Sequence, residues 1–316
     1  MARRRSLFAI VAGLAVVVLG GMAALMLSGH GGRAVTTTGI SPSGQAAATS
    51  SGPSGRAATT GSSPSGQAAT TKICQEDNAP ASGGTYIVQN DEFGSSAPEC
   101  VTTDSNTDFT VANSSIDLGT NGPPGGYTSI YQGCHWGKCS AGGLTSRPIQ
   151  VSNLTAGQVT TSWSTAQPGG NNTYDVSYDI WFNRAPTTSG QPDCTELMVW
   201  LNHDGSVQPI GSQIASNVSV GGRSYAIWEG SQPWGDTITY DMTTGTTSVS
   251  GLDVGTLAQN AVKLGYLSRS CYLIDVEAGF ELWRGGAGLA TRSFSVTIAG
   301  RRGSGAAQIA PSRASS

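Results

Sequence analysis

The sequence predicts an all-β sandwich between residues 72 and 299, on three observations. Short segments of alternating apolar and polar residues recur there, punctuated by Gly, Pro, Asn and Ser. Several of them hold a period of two long enough to give each face of a strand its own chemistry. Only one stretch has helical spacing.

The elements follow in chain order. In 173–183, Tyr174, Val176, Tyr178, Ile180 and Phe182 share one face, and Asp175, Ser177, Asp179, Trp181 and Asn183 share the other. This predicts one core face and one polar face. In 196–201, Leu197, Val199 and Leu201 are aliphatic, which sets Glu196, Met198 and Trp200 together on the opposite side. The helix is predicted from Asp253 as N-cap, with Val254, Leu257, Ala258, Ala261 and Leu264 at helical spacing. In 272–283, the apolar set is Tyr272, Ile274, Val276, Ala278, Phe280 and Leu282, leaving Asp275, Glu277, Glu281 and Trp283 on the other face. Carboxylates and indoles side by side do not make an ordinary solvent face. An indole is a flat apolar platform suited to a sugar ring, so the pattern points to a carbohydrate groove.

The ends of the chain lie outside this domain. Arg3, Arg4 and Arg5 precede an uncharged apolar run from Leu7 to Leu27, the layout of a secretory signal. The run is about 21 residues, long enough for an uncleaved membrane anchor. Residues 1–28 are therefore expected to be a signal peptide or an anchor, and the protein secreted or held at the cell surface. Residues 29–71 are Gly, Ser, Thr, Ala and Pro, with a self-repeat seen at Ser41–Ala47 and Ser63–Ala69. Lacking large apolar residues, this segment reads as a disordered tether. Residues 300–316 read as a disordered tail.

Six cysteines in an exported chain favour disulfides. No C-x-x-C pair or H-x-x-x-H cluster occurs and there are three His, so neither metal nor cofactor is expected. The net charge of -3, from 17 Lys and Arg against 20 Asp and Glu, gives no basic field to hold nucleic acid. A monomer is expected.

Glycosidic cleavage needs two carboxyl groups across the scissile bond, and Glu196 and Glu281 qualify by strand phase. A single Glu on such a strand is ordinarily just solvated. Larger motifs carry the argument further. Glu196-Leu197-Met198-Val199-Trp200, Gly279-Phe280-Glu281-Leu282-Trp283, and Tyr178-Asp179-Ile180-Trp181 ahead of Glu196 resemble the nucleophile, acid/base and assisting-Asp strands of glycoside hydrolase family 12. Gly133-Cys134-His135-Trp136, Val207-Gln208-Pro209-Ile210-Gly211 and Gly285–Ala290 are similar to further motifs of that family.

The resemblance implies a jelly roll of two antiparallel sheets with one packed helix and an open cleft. It implies Glu196 as nucleophile, Glu281 as acid/base and Asp179 as the residue assisting Glu196, acting on a β-1,4-glucan. His135, Trp136, Trp181, Met198, Trp200 and Trp283 are expected to contact the sugar chain. Asp91 and Phe93 stand where the family has Asn and Trp, which implies altered outer subsites. Cys74–Cys100 and Cys134–Cys139 are the implied disulfides. Cys194 and Cys271 stay open: if Glu196 and Glu281 stood level, Cys271 would lie ten strand residues away, about 33 Å when extended. The competing readings are a xyloglucan- or mixed-linkage-specific enzyme, a family 11 xylanase jelly roll, an inactive surface protein and a non-catalytic carbohydrate-binding sandwich. A family 11 nucleophile strand is Tyr-rich where this one reads Leu-Met-Val-Trp, and neither of the last two has a use for two opposed carboxylates.

Overall fold

The computed structural model of the chain describes residues 70–300. The expected leader, nearly all of the tether and nearly all of the tail lie outside the described residues. Among the described residues no helix is long and apolar enough to cross a membrane.

Two sheets enclose one core in a jelly-roll β-sandwich. The smaller has the spatial order Thr71–Cys74, Glu99–Thr103, Phe109–Ser114, Ala290–Ile298, Val159–Ala166, Ser248–Asp253. The larger runs Ser212–Val220, Arg223–Gln232, Gly235–Met242, Thr195–Asp204, Thr173–Asn183, Tyr272–Arg284, Tyr127–His135, Tyr86–Gln89, Asn78–Ala81. All pairings are antiparallel except one: Thr195–Asp204 lies parallel to Gly235–Met242. After Thr195–Asp204 the chain jumps outward by three strand positions and returns as a three-stranded meander that re-enters beside the strand it left.

Alternation places the apolar sets where they were expected except at the start of Tyr272–Arg284, where a bulge opposite Trp181 and Phe182 brings Leu273 into the core in place of Tyr272 and Ile274. Tyr178 and Phe280 both pack against Trp163, with ring centroids 5.2 and 5.7 Å apart, and Leu197, Val199 and Leu201 are fully buried. The face opposite the core departs from expectation, because every residue of Thr173–Asn183 is buried on both sides. The helix is Val254–Leu264. Asp253 caps it by accepting from the Thr256 N–H at 3.0 Å, and Gly265 ends it in the left-handed conformation at φ 91°. Val254, Leu257, Ala258 and Ala261 face the core; Leu264, expected with them, is exposed.

Three disulfides close the domain: Cys74–Cys100, Cys134–Cys139 and Cys194–Cys271. The third forms because Glu196 and Glu281 are not level. Across Thr173–Asn183, Trp181 pairs with Glu196 on one side and with Asp275 on the other. Cys194 and Cys271 therefore leave the same end of the sheet, with Cα atoms 6.5 Å apart. Thiol titration of the unreduced, denatured protein should find no free thiol. Replacing Cys194 and Cys271 by Ser should lower the unfolding free energy by about 4 kcal/mol, the loop-closure entropy of a 77-residue separation, measured by denaturant titration.

Candidate active site

The site is built on four adjacent strands whose non-core residues form rows across the sheet. One row holds Glu196, Trp181, Asp275 and Gly133. The next holds Met198, Asp179, Glu277 and Tyr131, and the one after that Trp200, Ser177, Gly279 and Ser129. Glu281 lies one row further, beside Tyr127, its backbone N–H donating to Asp175 Oδ1 at 3.4 Å. Glu196 and Glu281 thus sit diagonally on the two strands flanking Asp179. Between them the floor is small. A Cβ on Gly279 would come within 2.4 Å of the Thr128 carbonyl oxygen, so the strands approach there only because the residue is Gly.

Burial governs the acids. Asp179 is raised well above the carboxylate range by desolvation, then by the charges of Glu196, Glu281 and Glu277, and it keeps its proton. Glu281, partly open to the cleft, is raised well above that range by desolvation and by the charge and hydrogen bonding of Asp175. Desolvation also raises Glu196, but it alone of the three accepts a hydroxyl hydrogen bond, from Thr237 Oγ1 at 2.9 Å. That bond favours the ionised form of Glu196. Asp175 is pushed up to about 7, chiefly by burial. Thr237 stands beside Glu196 through the parallel pairing, which nothing in the local sequence announces.

Next to this triad, Glu277 Oε1 accepts from Gln89 Nε2 at 2.7 Å and from Ser129 Oγ, and Oε2 lies 3.0 Å from His135 Nδ1. Asp91 Oδ2 is 3.4 Å from His135 Nε2. Asp91 is thereby tied to His135, while Phe93 is 54% exposed.

The indoles divide into two groups. Trp136 is 38% exposed at the tip of a hairpin in which His135 pairs with Lys138 and Cys134 with Cys139. Its φ is 43° and that of Gly137 is 84°, the doubly left-handed loop that suits two-residue hairpins. Trp136 leans edge-on against Trp181, centroids 5.0 Å apart, with Trp234 6.4 Å from each. Trp200 and Trp283, expected as sugar contacts, pack instead with Met198 and Val207 and are 1% and 5% exposed. Trp283 also donates its indole N–H to the Gly122 carbonyl at 2.9 Å. Rings covered in this way offer no stacking platform, and the cover comes from segments distant in sequence. Trp228 and Trp234 were missed because they lie in the outer hairpin and its turn. The indole N–H groups of Trp181, Trp228 and Trp234, with Ser177 Oγ and Thr239 Oγ1, are buried without a partner. Such unpaired donors suit a polyhydroxylated ligand.

A further buried acid lies outside this constellation. Glu99 is 1% exposed, neither carboxyl oxygen is hydrogen-bonded, and burial followed by the charges of Glu92 and Asp91 pushes it up to about 8. Below pH 4.5 it is protonated in both folded and unfolded states. As pH rises towards 8 the unfolded chain ionises it first, removing on the order of 4 kcal/mol of stability at most. Glu99→Gln should therefore raise Tm at pH 8 and leave it nearly unchanged at pH 4, measured by calorimetry.

Comparison with known proteins agrees with this geometry. Residues 84–299 match glycosyl hydrolase family 12. The probable cellulase Cel12b of Mycobacterium tuberculosis is 30% identical over 154 residues, covering 49% of this chain and 98% of that protein. A xyloglucan-specific endo-β-1,4-glucanase A of Aspergillus niger is 28% identical over 228 residues, covering 69% of this chain and 87% of that protein. The solved structure of endoglucanase cel12A from Rhodothermus marinus superposes with a TM-score of 0.67 at 38% identity, over 72% of this chain and 99% of that one. The chain belongs to glycosyl hydrolase family 12 and is a glycoside hydrolase.

Proposed function

We propose that the enzyme cleaves internal β-1,4 bonds of a soluble or amorphous glucan by double displacement. The observation that carries this reading is the diagonal pair Glu196 and Glu281 across a floor of Ser177 and Gly279, with protonated Asp179 between them. Glu196 attacks the anomeric carbon and forms a glycosyl-enzyme while Glu281 passes its proton to the departing oxygen. Esterification removes the Glu196 charge. Glu281, left as the carboxylate after giving up its proton, then takes a proton from the water that releases the sugar with its configuration retained. Asp179 holds a proton within the field of Glu196 and favours the ionised nucleophile.

Trp136, Trp234, His135 and Phe93 are proposed to line the sugar path, with Trp181 and Met198 beneath it. Trp200 and Trp283 act as packing. The relatives named above include both a cellulase and a xyloglucan-specific enzyme, so xyloglucan is the second substrate to test. Residues 1–28 are proposed to direct export or anchoring and 29–71 to act as a tether; three disulfides favour an oxidising location.

Glu196→Gln and Glu281→Gln should each lose several orders of magnitude in turnover on carboxymethylcellulose. An aryl cellobioside with a good leaving group should still glycosylate Glu281→Gln and fail with Glu196→Gln. Proton NMR should detect the β anomer first; initial appearance of the α anomer would refute the nucleophilic role. Thr237→Val removes a donor from the Glu196 carboxylate and should move the acid limb of the kcat/KM profile to higher pH by about 1–2 units, the equivalent of one hydrogen bond to a charged group.

A further inference from the structure

We propose that His135, Asp275 and Glu277 form a binding site for one divalent transition-metal cation of the zinc type. A ring nitrogen of His135, a Glu277 carboxylate oxygen and an Asp275 carboxylate oxygen lie within 4.8 Å of one another. Register brings them together. Asp275 and Glu277 alternate onto the same face of Tyr272–Arg284, and His135 ends the neighbouring strand, beyond Gly133, which pairs with Asp275. The His135 Nδ1 to Glu277 Oε2 separation is 3.0 Å, near the ~3.4 Å between ligand atoms around tetrahedral zinc.

Asp275 is the independent observation. It is fully buried and neither carboxyl oxygen has a hydrogen-bond partner, an arrangement that leaves acceptor atoms unsatisfied unless something positive meets them. The strand opposite makes room for it: a Cβ on Gly133, whose φ is 139°, would stand 2.5 Å from Asp275 Oδ1. The remaining contacts match what metal ligands require around them. Asp91 Oδ2 faces His135 Nε2 at 3.4 Å, the position of the carboxylate that orients a ligating imidazole, and turns Nδ1 towards Glu277. Gln89 and Ser129 hold Glu277 Oε1, so Oε2 is the oxygen that meets Nδ1, and a bound cation takes the place of the proton shared between these two atoms. One imidazole and two carboxylates select zinc, cobalt or manganese over calcium and magnesium, which prefer all-oxygen shells. The Trp136 ring, 38% exposed, lies 4.3 Å from that of His135.

No spacing rule finds these residues, since the ligands come from positions 135, 275 and 277 on two strands. The site is distinct from Glu196 and Glu281 and goes beyond the proposed reaction.

The test is equilibrium dialysis of the full chain against Zn2+ at pH 7.5, with Co2+ as spectroscopic probe. The expected result is one equivalent of tightly held Zn2+ and a visible d–d band from bound Co2+. Asp275→Asn and Glu277→Gln should each abolish both. Asp91→Asn, which keeps all three ligands, should weaken binding by about 10–100-fold, and His203→Gln should change nothing. Near-UV circular dichroism confirms that each variant is folded. Absence of stoichiometric uptake, or uptake that folded Asp275→Asn and Glu277→Gln retain, would overturn the proposal.

Discussion

The Thr173–Asn183 strand is buried from end to end, yet every second residue along it is polar or an indole. Its apolar face is held by Tyr178 against Trp163, and that anchoring fixes the register of both neighbours. With register fixed, Asp175 and Asp179 have to face the cleft without water: Asp179 does so by keeping its proton, and Asp175 is pushed up to about 7. The proposed catalytic arrangement follows from this constraint. Glu196 and Glu281 are carried on either side of the strand, and each feels a carboxyl group that cannot leave. The charge that does form settles on Glu196, where Thr237 donates a hydrogen bond.

Much of this was legible from period-two alternation. The three site strands lie where their apolar residues indicated, because a slip of one residue would turn Tyr178, Leu197 and Phe280 out of the core. Asp253 and the spacing after it marked the helix for the same local reason. What alternation cannot report is the level at which one strand stands against the next. Taking Glu196 and Glu281 as level made Cys194–Cys271 look unreachable, whereas the true partner of Glu196 across the middle strand is Asp275's row. Nor does alternation say what lies over a face. Trp200 and Trp283 are in phase with the glutamates but are closed over by Val207 and the backbone at Gly122. The Asp91–His135–Glu277 chain of contacts joins three distant segments and carries no local signature.

The Trp136 hairpin has a consequence of a different kind. Its disulfide spans a sequence separation of only 5, so it removes little entropy from the unfolded chain compared with Cys194–Cys271. Its work is local: it clamps the two-residue loop that holds Trp136 in a left-handed conformation over the groove. Protein made in a reducing cytosol could then assemble both sheets and still present a slack entrance, with weaker hold on long chains and unaltered turnover of those that bind. If Trp136 lines the sugar path as proposed, yield of folded protein and affinity for polymer are set by different sulfur atoms.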